Sequence, residues 1–152
     1  MINIKKIIFS FLLVLLNFNI ANSNVSDSLF MTVGDKPITK SDIVDEIKIL
    51  LILNNESYSN EKIEKLHELA VKSTVKRTVK EIELERNNYY QFNNEDLQNE
   101  LNRLASNIFM DLDTLKNICS SNELNFEKIE NQVKVELYWN SLIFQLYKNR
   151  LV

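Results

Sequence analysis

Glycine, proline, cysteine and histidine each occur once in the 152 residues. Each scarcity excludes a class of chemistry. A single cysteine cannot build a disulfide framework, and with a single histidine it cannot supply a structural zinc site of about four ligands. A phosphate-cradling loop needs several glycines, and this chain has Gly34 alone. Basic residues are not in excess either: the formal charge is −3 at pH 7, which argues against a nucleic-acid partner, because affinity for phosphates rests on clustered Lys and Arg. What remains is 45% apolar and 26% charged residues, ordinary for one globular domain with a buried core.

Residues 1–23 have a character of their own. Lys5 and Lys6 precede the apolar run Ile7 to Leu16, and Ala21-Asn22-Ser23 places small residues where a secretory signal is cut. The run is shorter than the ~20 residues that span a bilayer, so the expectation is a signal peptide over 1–23, with a retained anchor as the alternative. No cysteine follows the run, which excludes a lipid-modified start. Loss of the two lysines takes the formal charge from −3 to −5, and no stable membrane insertion is expected after cleavage.

From residue 24 to 152 one domain is expected. Leu29 to Val33 and Pro37 to Thr39 read as two short strands around Gly34-Asp35-Lys36, because glycine accepts positive φ at the first position of a tight turn and proline suits an edge strand. Thr39 with Asp42, or Ser41 alone, then starts a helix. Apolar spacing of three and four predicts an inward face of Ile43, Val44, Ile47, Leu50 and Leu51. A second helix over Asn60 to Asn87 puts Ile63, Leu66, Ala70, Val71, Val75, Val79 and Ile82 inward. A third, capped by Asn93 or Asn94, buries Leu97, Leu101, Leu104, Ala105 and Ile108. Asp111 or Asp113 caps a fourth with Leu112, Leu115, Ile118 and Cys119 inward. Asn125 caps a fifth, Phe126 to about Lys148, carrying Ile129, Val133, Leu137, Leu142, Ile143 and Leu146. The fold class expected is mainly α, a bundle of about five helices with a short N-terminal β-hairpin.

Candidate site residues each have a structural reading beside the functional one. His67 lacks a catalytic partner in the sequence and reads as a helix-surface residue. Cys119 falls on an inward position and reads as a small hydrophobe, with an intermolecular disulfide as the lesser reading. Glu81 and Glu85, one turn apart, read as a solvated pair rather than an acid–base pair. Lys72, Lys76 and Lys80, with Arg77 adjacent, form a basic stripe on an acidic chain, either a solvated face or a contact for acidic lipid or polypeptide. Tyr138, Trp139, Phe144 and Tyr147 cannot share one helical face, so the fifth helix is either covered on two sides or leaves a binding surface.

The order of these features resembles the N-terminal domain of SurA-type periplasmic chaperones. A leader, the hairpin Val33-Gly34-Asp35-Lys36-Pro37-Ile38-Thr39 and Ser41-Asp42-Ile43 opening a helix carry the start of that resemblance. "VKRTVKEIELERN" (Val75 to Asn87), "FNNEDLQNELNRLA" (Phe92 to Ala105) and the run from Asp111 to Ile143, with Leu124, Phe126 and Trp139, carry the rest. Two departures stand out. Asn88-Tyr89-Tyr90 replaces the glycine that usually ends the second helix, and no residues map onto the parvulin prolyl isomerase domains that usually follow.

The resemblance implies a periplasmic, non-catalytic chaperone module without cofactor or metal, binding unfolded outer-membrane polypeptides in an apolar groove. Its contact residues would be Phe30, Met31, Ile47, Leu50, Leu51, Trp139 and Phe144. The alternative is a fragment or subunit of a longer SurA-type chaperone, completed by self-association or another chain, with prolyl isomerase activity in other parts.

Overall fold

The computed structural model describes residues 27–57 and 59–148; the signal-peptide reading of 1–23 lies outside them. Strands β1 (Leu29–Val33) and β2 (Lys36–Thr39) are followed by helices α1 (Lys40–Leu53), α2 (Asn60–Arg86), α3 (Asn94–Asn107), α4 (Leu112–Ser121) and α5 (Glu127–Tyr147). The described residues are therefore mainly helical with one antiparallel hairpin, paired Val33 with Lys36, Thr32 with Pro37 and Met31 with Ile38. Gly34 has φ +61° and Asp35 does not share the positive sign, the pattern of a turn whose twist matches the flanking strands.

The helix starts follow the side-chain chemistry. Thr39 accepts from the Asp42 amide while Asp42 accepts from the Thr39 amide, a complete capping box. Ser59, Asn93 and Asp111 cap α2, α3 and α4, and the Asn125 carboxamide accepts from the Glu127 amide at the start of α5. The ends show how a chain almost without glycine stops its helices. Asn55, Asn88, Phe109 and Glu123 have φ between 47° and 60°, and each sits one residue past a helix C-cap. At each of these four ends the two backbone bonds of a Schellman motif form, for example Tyr89 N–H to Leu84 O at 3.1 Å and Asn88 N–H to Glu85 O at 3.0 Å. The preceding residues Asn54, Asn87 and Asn122 add a side-chain amide bond to the carbonyl one turn back, at 2.7, 2.7 and 2.8 Å. Asparagine thus takes much of glycine's role.

Three groups of buried side chains hold the elements together. Ile38, Ile43, Ile47, Leu51 and Ala70 join the hairpin to α1 and α2. Ile49 and Ile52 of α1 face the other way, into Leu97, Leu101, Leu115, Cys119 and Ile129 of α3, α4 and α5. Leu84, Val135 and Leu142 join the later parts of α2 and α5, with Tyr89, Tyr138 and Trp139 against them. Because α1 is buried on two sides, its single-face expectation is incomplete: Ile49 and Ile52 are core, whereas Val44 is 51% exposed. In α2, Val79 is 45% exposed, and the buried positions of its middle are Thr74, Thr78 and Lys80. A threonine can occupy an inward helical site by donating to the carbonyl one turn back, as Thr78 does to Thr74 O at 2.9 Å.

Candidate functional site

The seven residues expected to line one groove fall in two places. Met31, Ile47, Leu50 and Leu51 belong to the group joining the hairpin, α1 and α2, and Trp139 belongs to the group joining α2 and α5. Ile47 and Leu51 are only 5% and 4% exposed, so in this structure they are core rather than groove wall. Phe30 and Phe144 are the two with substantial exposed surface, 39% and 64%.

Two surfaces therefore remain open. The first is β1: its sheet has only two strands, so one edge of β1 has no strand neighbour among the described residues. Leu29, 58% exposed, and Phe30 lie on it, and the Phe30 ring meets His67 of α2 edge-on at 5.9 Å between centroids. His67 thus packs against an apolar side chain of the hairpin. The second is the end of α5. Tyr138 is held edge-on between Tyr90 at 5.5 Å and Phe92 at 5.0 Å, and Trp139 is half-buried, whereas Phe144 and Leu146 face outward. The aromatic helix is thus covered along its middle and leaves apolar side chains exposed near its end.

Charged groups collect behind the hairpin in a cavity of about 240 Å³ between β2, α1, α2 and α5. Glu46 is 3% exposed; Arg77 donates to its Oε2 at 2.7 Å and Gln132 to the same oxygen at 2.8 Å. Lys128 of α5 lies 3.1 Å from Asp42 and 3.4 Å from Asp45, and Lys36 pairs with Glu85 at the rim. Thr74, 5% exposed, lines the cavity with a buried hydroxyl that has no hydrogen-bond partner among the described residues. Glu81 also lines it, half-buried, and burial holds its carboxyl above the usual carboxylate range despite the nearby positive charge of Arg77 and Lys36.

This arrangement corrects two sequence readings. Glu81 and Glu85 are not an equivalent solvated pair, since Glu85 is bound to Lys36 while Glu81 faces the cavity. The basic stripe does not exist as a unit: Lys72 pairs with Glu68 at 2.7 Å, whereas Lys80 is 7% exposed, paired with Glu136 and 5.8 Å from the centre of the Trp139 ring. Positions four apart drift by about 40° around a helix, so Lys80 has turned inward by the time the row reaches it. Cys119 is fully buried, and burial pushes its thiol up, as expected of a core residue. Among the described residues no group of His, Cys, Asp or Glu could hold a metal ion, and no helix is long and apolar enough to cross a membrane.

Asp42 gives the cavity rim a pH dependence. Burial raises the cost of its charge, but the Thr39 amide and hydroxyl and the Lys128 ammonium outweigh it and hold the carboxyl below its ordinary value of 3.8. A depressed carboxyl stabilises the fold above its unfolded pKa and loses that contribution as pH falls through the folded value. Urea midpoints should therefore fall between about pH 5 and pH 2, and Asp42→Asn should flatten part of that slope; an unchanged slope would remove Asp42 from the acid response.

Compared with protein-family models, with the curated proteins and with the solved structures, the chain finds no match.

Proposed function

We propose that this chain is an exported chaperone module that holds unfolded outer-membrane polypeptides in the periplasm without catalysing a reaction. The observation that supports it most directly is the β1 edge. An extended client can add to such an edge through backbone hydrogen bonds that ignore sequence, while Leu29 and Phe30 supply contacts for alternate apolar side chains. Ordering a disordered client consumes much of the contact energy, so binding of this kind is weak and reversible. The resemblance of the hairpin, the long second helix and the aromatic fifth helix to SurA-type N-terminal domains supports the same reading.

The test is suppression of light scattering when a urea-denatured β-barrel membrane protein is diluted into buffer containing the chain. Leu29→Lys with Phe30→Lys should abolish suppression, because charge on an edge strand opposes further pairing. Both side chains are substantially exposed, so helix content and melting temperature should hold. Full suppression by a folded double variant would sink the edge assignment.

The outward Phe144 and Leu146 at the end of α5 favour a second reading, a subunit or segment of a longer SurA-type chaperone whose apolar tail is covered by another chain. Sedimentation would separate the two: a single-chain mass with intact suppression supports the first, and a defined oligomer that Phe144→Ser dissociates supports the second.

A further inference from the structure

In the basic row of α2, Lys72 and Lys80 are neutralised by Glu68 and Glu136, but Lys76 has no carboxylate partner among the described residues. The positions three and four residues away on its own helix are Lys72, Ser73, Val79 and Lys80. None is acidic, so neutralisation has to come from outside the helix. Lys76 stands on one bank of a groove of about 520 Å³ between α2, α3 and α5. The groove exists because α5 packs against α2 on one side and α3 on the other, while α2 and α3 scarcely meet. Leu104 of α3 with Val133 and Leu137 of α5 line it, each half-buried with one side packed on the core. Arg103 stands on the bank formed by α3. It gives its Nε and Nη2 to Glu100 at 3.0 and 2.6 Å, and its Nη1 has no partner among the described residues.

We propose that this groove receives a short amphipathic helix of another polypeptide, its aliphatic side chains seated on Leu104, Val133 and Leu137 and its carboxylates facing Lys76 and Arg103. Charge decides the sign of the partner. The acids on the walls are already held, Glu46 by Arg77, Glu136 by Lys80 and Glu100 by Arg103. An incoming carboxylate therefore meets an unmatched ammonium and a guanidinium with donors to spare, whereas a cationic partner would first have to break one of those pairs. The walls decide its conformation. All three are helices whose backbone groups bond within the helix, so an extended segment would bring N–H and C=O groups with no ladder to join. A helix arrives with its own backbone satisfied. The stretch of α5 that lines the groove, Gln132 to Asn140, is about 12 Å long at 1.5 Å per residue. That is room for about two turns, with aliphatic contacts at i, i+4 and i+7. No residue of the hairpin lines the groove, so the inference does not rest on the chaperone reading.

Fluorescence anisotropy with the purified chain would use labelled, helix-stapled peptides of about three turns. One carries leucines at i, i+4 and i+7 flanked by glutamates, a second has lysines in place of the glutamates, and a third keeps the first composition with the leucines scattered around the helix. The glutamate helix should bind saturably, at least about 10-fold more tightly than the other two, and more weakly as salt rises. Lys76→Glu should weaken the glutamate helix about 10-fold and tighten the lysine helix, a reversal that loss of structure does not produce. Lys76 is exposed and unpaired, so the melting temperature of that variant should hold. No saturable binding of the glutamate helix, equal binding of the scattered peptide, or undiminished binding by Lys76→Glu would overturn the assignment. Saturable binding of decanoate with none of the glutamate helix would overturn it as well, by giving the groove to a fatty acid.

Discussion

Arg77→Ala should lower the stability of the domain by about 3–5 kcal/mol, the cost of leaving a buried partner charge without compensation. The stranded partner is Glu46, whose side chain is 4% exposed against 20% for Arg77, so its carboxylate depends on the guanidinium for most of its compensation. Among the described residues Gln132, at 2.8 Å, would be the only hydrogen-bond donor left to the carboxylate, and one neutral amide does not offset a full charge. For a domain of this size such a loss lowers the melting temperature by roughly 10 °C or more. The companion experiment separates a stranded charge from lost packing. Glu46→Leu combined with Arg77→Met removes both charges and fills the space, and it should recover most of the loss, because apolar replacement of a buried pair is often neutral. Urea midpoints of the single and double variants decide it; a double variant as unstable as Arg77→Ala would mean that packing, not charge, accounts for the effect.

Leu115→Ala should cost about 2–5 kcal/mol, the range for deleting a buried leucine side chain. Leu115 is fully buried and sits with Cys119 as the fully inward pair of α4, a helix of only 10 residues. So short a helix has little stability of its own, so its docking on α3 and α5 depends on those side chains. The cavity left by the truncation should both shift the global transition and loosen α4 first. Hydrogen exchange should then show α4 amides losing protection more than those of α1. Uniform loss of protection would instead make α4 part of one cooperative unit with the rest, and a change in melting temperature of less than about 2 °C would contradict the burial argument.

Much of the fold was legible because it rests on local chemistry. Thr39 and Asp42 lie three residues apart and cap α1 by reaching each other's backbone, a relation that needs no distant partner. Asn93 and Asp111 announce α3 and α4 in the same way. The hairpin is equally local, since Gly34 supplies the positive φ that its turn requires. The ends of α2 and α4 were less legible: Asn88 was a plausible substitute for glycine, whereas Glu123 in the left-handed region carries no such signal in its side chain. Phe109, also left-handed and 97% exposed, is placed there by the backbone bonds that close α3.

The site was much less legible. Glu46, Thr74, Thr78 and Lys80 look like surface residues in a helical pattern, because hydrophobic periodicity treats polar residues as outward by default. Their burial depends on which partners the other helices bring: Arg77 and Gln132 for Glu46, and Glu136 and Trp139 for Lys80. Those pairs lie 31 to 86 residues apart in the chain, too far for any local signal. The seven expected contact residues show the same limit, since apolar character alone could not separate Leu51, which α2 and the hairpin enclose, from Phe144, which is mostly exposed.

By itself the sequence determined the order of the elements, the helix starts and the hairpin turn, because capping and turn geometry act within a few residues. Only the tertiary structure decided that α1 is buried on two sides, that the basic row of α2 divides between solvent and core, and that a polar cavity lies behind the hairpin. Those outcomes depend on how helices distant in the chain meet, and desolvation of a charge is set by the neighbours that surround it rather than by the residues beside it in sequence.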